Sequence, residues 1–291
     1  MPSIFDYASY IKHLDYYPMV MSVVDWLNEV YFANQETRTL EADYSKAGMK
    51  KRTMAEKQKS KHAIEKPKIN TTVFLLMLAL FTMFKNHGAK LTSLRVMTYS
   101  NGCKYDEDCY TLLGKSQFLP LVSPIRSLEV NTDYCKTSFL TALAGVCTNL
   151  DFLHVQKEDV VGKNTYSISE TQTTALKYII ASQQSLKSLK LTGYLCDANF
   201  RKHVFREAIG SQVSSLRCIE FQEMWFKSRE DLDVLTFCFN LEVLKFNWCW
   251  GLTNDLVKVL VDAKFLRLKV VEIKGCSPWD LKVWAEAYQK F

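Results

Sequence analysis

Cysteine, histidine and acidic side chains are the groups in this 291-residue chain that could bind a metal or act as nucleophiles. There are nine cysteines and five histidines. No CxxC pair occurs, and the histidines lack HxxxH or HExxH spacing, so neither group has the ligand spacing of a zinc site. Most cysteines lie in apolar runs, as in Phe237-Cys238-Phe239 and Trp248-Cys249-Trp250. This pattern predicts reduced, buried thiols in an intracellular protein.

An acidic cluster, Asp106-Glu107-Asp108, lies between Cys103 and Cys109. We interpret it as the solvated start of a helix, where carboxylates are favourable; a metal site is the alternative. The sequence contains no GxGxxG or GxxxxGK[ST] phosphate-binding motif and no local signature of Ser/His/Asp or Cys/His catalysis. We therefore predict a non-enzymatic protein with no catalytic, cofactor-binding or metal-binding residues.

The elements that would position functional side chains follow from a repeated pattern of three apolar residues. The second apolar residue comes three positions after the first, and the third comes two positions after the second. Seven copies occur: LTSLRV at 91–96, IRSLEV at 125–130, LDFLHV at 150–155, LKSLKL at 186–191, LRCIEF at 216–221, LEVLKF at 241–246 and LKVVEI at 268–273. A weaker copy, IKHLDY, occupies 11–16.

The spacing within each copy predicts a short strand, because residues two apart point to the same face. Helical spacing follows at 136–147, 169–182, 198–209, 228–238, 254–263 and 278–289. One strand–helix unit cannot bury its apolar side alone, so the units are expected to stack. We predict an α/β leucine-rich-repeat solenoid, a horseshoe with parallel strands on the concave face and helices on the convex face. The alternative is an ordinary α/β domain with scattered leucine-rich strands.

The chain is predicted to divide into an irregular N-terminal repeat or cap at 1–90 and a repeat array at 91–291. Nine Lys or Arg residues and two acids lie between Tyr44 and Ile69, so the rest of the chain carries a net charge of −1 although the whole carries +6. We interpret 44–69 as a basic, solvated insertion; a nuclear-localisation signal at Lys50-Lys51-Arg52 is the alternative. A nearly neutral repeat body argues against a nucleic-acid partner.

The longest apolar run is Val73 to Phe81, nine residues that extend with interruptions to Phe84, and it is too short to span a bilayer. It predicts a helix buried on all sides, with a membrane anchor as the alternative. The N-terminal residues lack the features of a signal peptide. We expect a protein of the cytoplasm or nucleus that does not contact a membrane.

Two cysteines carry a further repeat signature. Cys249 and Cys276 each lie eight residues after the first apolar residue of a copy. In a repeat of this type, that side chain points into the interior as the chain turns out of the strand. Thr253 or Asn254 is then predicted to cap the next helix. These features resemble the cysteine-containing subclass of leucine-rich repeats, which is common in F-box proteins.

Several segments extend this likeness: Phe5-Asp-Tyr-Ala-Ser-Tyr-Ile-Lys-His-Leu, Leu94-Arg-Val-Met-Thr-Tyr, Leu186-Lys-Ser-Leu-Lys-Leu and Leu241-Glu-Val-Leu-Lys-Phe. The chain resembles the fungal family of F-box and leucine-rich-repeat-like proteins. In that family an F-box docks to a cullin-ligase adaptor and the repeats select the protein to be ubiquitinated. No Leu-Pro-x-Glu-type opening precedes Phe5, so the F-box is expected to be missing, by truncation or by evolution. The adaptor is a partner only if an F-box exists upstream.

The resemblance and the repeat imply a protein partner, either a substrate or a scaffold component. It is expected to contact the strand residues that alternate with the buried positions, and two tryptophans just beyond strand ends. The predicted partner-binding residues are Ser188, Lys190, Thr192, Glu220, Gln222, Lys245, Asn247, Glu272, Lys274, Trp225 and Trp248. Packing of the tryptophans in the core or in turns is the alternative. A scaffold or regulator unrelated to ubiquitin, or a truncated paralogue without function, are the alternative roles.

Overall fold

Eight short strands form one all-parallel sheet in the computed structural model, which describes residues 6–45, 71–97, 110–132, 135–157, 170–193, 200–263 and 265–276. Each strand pairs with the next strand along the chain. The strands are β1 His13–Asp15, β2 Ser93–Val96, β3 Ser127–Asn131, β4 Phe152–Gln156, β5 Ser188–Thr192, β6 Cys218–Gln222, β7 Val243–Asn247 and β8 Val270–Lys274. All seven predicted copies and the weaker eighth contain a strand. The predictions of an α/β fold and of parallel strands are confirmed.

The repeated apolar residues are aligned from strand to strand. Leu128 pairs in register with Leu153, and Leu153 with Leu189. These side chains are fully buried, while residues between them, such as Ser127 and Glu129, are half-buried. The alternation follows from the period of two in a strand. One face of the sheet is therefore packed in the core, and the other presents polar side chains to solvent.

Helical segments connect the strands and pack beside one another. The α-helices are α1 Tyr16–Ser45, α2 71–86, α3 Leu119–Val122, α4 Thr137–Val146, α5 Glu170–Ala181, α6 Glu230–Asp233 and α7 Asn254–Asp262. Arg201–Ile209 is wound as a π-helix, and 3₁₀ turns occupy Asp6–Tyr10, Tyr110–Gly114, Ser116–Phe118, Gly210–Gln212 and Val234–Phe237. In the middle of the chain, α4 packs against α5, and α5 against the π-helix.

The predicted helices at 136–147, 169–182 and 254–263 agree with α4, α5 and α7 to within one residue at each end. Two others differ from regular α-helices, because 198–209 is mostly π-helical and 228–238 contains a one-turn helix followed by a 3₁₀ turn. Thr253 does occupy the position before α7, but its side chain makes no capping hydrogen bond there.

Some predictions fall on residues outside the described ranges. They are the basic insertion beyond Ser45, the acidic cluster with Cys103 and Cys109, Cys196, and the helix at 278–289. The first two residues of the predicted insertion, Tyr44 and Ser45, end helix α1.

Helix α2 corrects one expectation. It was expected to be buried on all sides, but its buried residues, Val73, Met77, Phe81 and Phe84, form one stripe at helical spacing, and Leu75 on another side is 56% exposed. One apolar stripe suffices to attach the helix to the core. Across the described residues, no helix combines the length and the apolar character needed to cross a membrane.

The core lies between the sheet and the helical segments, and in the second half of the chain it contains a cluster of phenylalanines. The Phe221 ring stacks on Phe205 at 5.5 Å between centroids, and lies 5.4 Å from both Phe226 and Phe246. These residues come from β6, β7, the π-helix and the loop after β6. The contacts therefore join two neighbouring strands to the helical layer.

Buried amide side chains link successive helix-to-strand loops. Gln183 accepts a hydrogen bond from the Leu150 backbone N–H at 2.9 Å and donates to the Cys147 carbonyl at 2.8 Å. Gln212 donates in turn to the Gln183 carbonyl at 2.9 Å. Each bond satisfies loop backbone groups that would otherwise be buried without a partner. These amide side chains therefore hold each helix-to-strand loop against the loop of the next unit.

Candidate functional site

A row of charged residues crosses the solvent-facing side of the sheet and includes one residue from every strand. Register pairing aligns Asp15, Arg95, Glu129, His154, Lys190, Glu220, Lys245 and Glu272. We call this set the charged row. Acidic and basic side chains alternate along it, except where His154 lies between Glu129 and Lys190. Opposite charges directly across neighbouring strands are the favourable arrangement.

The side chains of the charged row are paired with one another. Lys190 Nζ lies 2.8 Å from Glu220, and Lys245 Nζ lies 3.2 Å from Glu272. Hydrogen bonds from Lys274 and then Lys245 lower the pKa of Glu272, and the bond to Glu272 raises the pKa of Lys245. Such exposed pairs contribute little stability individually. Their effect is to present a face of nearly balanced charge, with its long side chains held in place.

The other predicted strand residues flank the charged row. Asn247 donates to Glu220 at 3.3 Å, and Gln222 lies half-buried beside it, with its amide 3.5 Å from Glu223. Ser188 is half-buried on the other side of the row. Thr192 differs from expectation because it is buried, with its hydroxyl bonded to His154. Thr192 therefore contacts a side chain of the charged row and does not add to the accessible surface.

His154 is the buried ionisable group of the charged row, with only 8% of its surface exposed. Its Nδ1 lies 3.2 Å from the Glu129 carboxylate and its Nε2 lies 3.0 Å from the Thr192 hydroxyl. A carboxylate can only accept, so Nδ1 carries the proton and Nε2 accepts from Thr192. Burial lowers the pKa of His154; the bond to Glu129 opposes this shift and the charge of Lys190 adds to it. The neutral imidazole is therefore the form that the fold favours.

His154 occupies one of the strand positions that alternate with the repeated apolar residues, so the pattern predicts that it faces solvent, and its burial is a correction. Phe152 and Gln156, on the same side of β4, are half-buried. No feature of the local sequence distinguishes His154 from them. Its burial depends on Glu129 and Thr192, which come from the two neighbouring strands.

The unfolding free energy is expected to fall as the pH is lowered below about 6.5, the pKa of histidine in an unfolded chain. Because the pKa of His154 is lower than this when the protein is folded, the unfolded chain binds more protons in that range and is favoured. The stability that depends on neutral His154 is fully present above about pH 6.5. It is lost as the pH falls towards the pKa that His154 has in the folded protein. Urea titrations between pH 5 and 8 measure it.

In that experiment His154→Gln should reduce the pH dependence. His203→Gln is the matched control, since His203 lies on the π-helix and contacts Glu207 away from the sheet. Equal slopes of stability against pH in the two variants would show that His154 is not the group responsible.

Two tryptophans project from the ends of β6 and β7. Trp225 is 51% exposed and Trp248 is 58% exposed. The Trp225 ring lies against Gly251, where an added Cβ would come within 2.9 Å of it. The Trp248 ring lies against Gly275 in the same way, at 2.4 Å. Each indole is thus supported by a glycine of the next unit, with much of its surface left open.

Trp248 also has a left-handed backbone, with φ of 55°. Gly193, Glu223 and Gly275 occupy the same position after β5, β6 and β8, and all have positive φ. Glycine adopts this conformation freely, whereas a bulky side chain does so at a cost of about 1–2 kcal/mol. Backbone strain of this kind is concentrated at functional positions. Trp248 therefore occupies a position whose backbone conformation glycine would adopt at lower cost.

The six described cysteines are free thiols. Cys135, Cys147, Cys238 and Cys249 are buried, as expected, while Cys218 and Cys276 are half-exposed. Within the parts of the chain that are described, no three His, Cys, Asp or Glu side chains converge as a metal site requires. A scan against protein-family models finds no match, and a search of curated proteins finds none either.

Proposed function

We propose that the chain is a leucine-rich-repeat solenoid that binds a protein partner through the solvent-facing side of its sheet and has no enzymatic activity of its own. In this proposal 1–90 is an irregular N-terminal cap and 91–291 is the repeat array. The sheet has β1 and β8 as its end strands, and no backbone pairing joins these two in the described residues, which supports an open array. The sheet has one buried face and one polar face, which supports a solenoid in which helices cover only one side of the sheet.

The observation that carries the binding proposal is the pair of exposed, supported tryptophans. An exposed indole that lies on a glycine of the next unit is already fixed before a partner arrives, so little side-chain entropy is lost on binding. Tryptophan is among the residues that contribute most to protein interfaces. The strands that precede the two indoles carry the neutral amides Gln222 and Asn247 and the paired residues Glu220 and Lys245 of the charged row. This composition suits a protein surface better than a polyanion.

The test compares two double variants by quantitative affinity purification from the source cells, followed by titration of the recovered partner. Trp225→Ala with Trp248→Ala should weaken binding more than tenfold, because an interface tryptophan is worth about 2 kcal/mol or more and 1.4 kcal/mol is tenfold. Phe237→Ala with Phe239→Ala is the matched control, since these exposed rings follow α6 on the helical side. Equal loss, or no loss, in the two variants contradicts the proposal.

We propose further that the partner is a substrate of an F-box-type ubiquitin ligase. The support is the resemblance of the repeat segments alone. If this is correct, the partner identified above accumulates and loses ubiquitin when the chain is deleted from cells. A partner whose abundance and ubiquitination do not change rules out the ligase role and leaves the binding role intact.

A further inference from the structure

Cys249 and Cys276 occupy equivalent positions in the last two described units. Each follows a strand by two residues, and those strands end in the register pair Asn247 and Lys274. The backbone pairing continues beyond the strands, because the Trp248 N–H donates to the Lys274 carbonyl at 2.7 Å. One step further, the Cys249 N–H donates to Cys276 Sγ at 3.3 Å. The two cysteines are therefore brought together by the same ladder that joins β7 to β8.

The surroundings of the two sulfur atoms differ. Cys249 is fully buried, and its thiol donates to the carbonyls of Phe221 and Asn247, both at 3.5 Å. Cys276 is half-exposed, and as a thiol it donates weakly to the carbonyls of Lys274 and Phe246. Cys276 is thus open to a small reagent in solution, whereas Cys249 is shielded from solvent.

Hydrogen bonds favour loss of the Cys276 proton before that of Cys249. When Cys276 is a thiolate, the single Cys249 S–H turns from the two carbonyls to donate to it. This bond, helped by the Cys249 backbone N–H and opposed by burial, lowers the pKa of Cys276 to about 7. The same thiol–thiol bond, together with burial, raises the pKa of Cys249. Elsewhere burial raises the pKa of Cys135, Cys147 and Cys238 to about 12. The thiolate is the reactive form of cysteine, so the pair combines a nucleophile with a protonated neighbour.

We propose that Cys249 and Cys276 form a peroxide-sensitive dithiol that closes to a disulfide. The Cys276 thiolate attacks hydrogen peroxide, so that an S–O bond forms, the O–O bond breaks, and a sulfenic acid and hydroxide result. The Cys249 sulfur then attacks the Cys276 sulfur and forms the S–S bond. The hydroxyl group of the sulfenic acid leaves with the Cys249 proton as water. The two sulfurs give up two electrons in total, and peroxide takes them.

Strand spacing permits this bond without separating β7 from β8. Parallel strands lie about 4.8 Å apart, and disulfides join Cα atoms about 4.4–6.8 Å apart. Both cysteines adjoin this contact in the sequence, because Cys249 follows Trp248, and Cys276 follows Gly275, against which the indole packs. The proposal is independent of partner binding, since it concerns the thiols of the unbound protein.

The experiment treats the full chain with equimolar hydrogen peroxide near pH 7, blocks the remaining thiols and maps tryptic peptides by mass spectrometry. Cys249 lies in peptide 246–258 and Cys276 in peptide 275–282, so the disulfide gives one cross-linked species two hydrogens lighter than the sum, which dithiothreitol separates. Peptide 275–282 should also be alkylated on the order of tenfold faster than a thiol of ordinary pKa, since about half of Cys276 is thiolate at pH 7.

Single variants separate the two roles. Cys276→Ser should abolish the cross-link and leave Cys249 unoxidised. Cys249→Ser should leave a sulfenic acid on Cys276 that dimedone traps. Cys218→Ser is the matched control, because Cys218 is also half-exposed but its register partners, Ser188 and Val243, are not cysteines. The proposal is overturned if the wild-type peptide map lacks the cross-link between peptides 246–258 and 275–282, or if Cys218 oxidises first. Both results come from the wild-type protein, so they do not depend on whether a variant folds.

Discussion

Replacement of Phe221 by alanine is expected to lower the free energy of unfolding by about 3–5 kcal/mol. The Phe221 side chain is fully buried on β6. Its ring packs against Phe205, Phe226 and Phe246, with ring centroids 5.4–5.5 Å apart. Truncation removes the apolar contacts of the ring and leaves a cavity. Three rigid rings border this cavity, so the surroundings cannot easily collapse into it.

Denaturant titration followed by circular dichroism measures the loss. Phe237→Ala is the matched control, because that ring is 66% exposed, and it should change stability by no more than about 0.5 kcal/mol. Stacked units can unfold in parts, so the slope of the titration should be compared with that of the wild type. A loss below about 1 kcal/mol for Phe221→Ala would contradict the contribution of this phenylalanine cluster to the core.

The strands and their buried faces could be predicted because the signal lies within six residues. Ile219 and Phe221 differ by two positions, and so do Leu244 and Phe246, so both pairs had to face the same side of a strand. The order of the strands then followed from repetition, since stacked units place each strand beside the next.

The finer features of the candidate site depend on neighbouring units and therefore had no local signal. The burial of His154 is produced by Glu129 and Thr192, which lie 25 and 38 residues away along the chain. The exposure of Trp248 depends on Gly275 in the next unit. Its positive φ could not be inferred either, because the position after the strand is glycine in some units but Glu223 or Trp248 in others.

Replacement of Gly193 by alanine is the second large effect, and we expect a loss of roughly 3 kcal/mol or more. Gly193 has a φ of 97°, which a residue with a Cβ rarely adopts. An added Cβ would also lie 1.8 Å from the Lys157 carbonyl oxygen. Relief of that clash requires the ends of β4 and β5 to move apart, where the Lys157 N–H donates to the Thr192 carbonyl at 2.9 Å.

Gly88→Ala separates the two causes of this loss. Gly88 has a φ of 71°, but an added Cβ there would meet no atom within 4 Å, so only the conformational cost of about 1 kcal/mol applies. In thermal unfolding, the melting temperature of Gly193→Ala should therefore be well below that of Gly88→Ala. Similar losses would mean that the Lys157 carbonyl moves aside at little cost. Glu223 and Trp248 hold side chains at the same position in later units, so the requirement for glycine at 193 follows from that carbonyl and not from the turn alone.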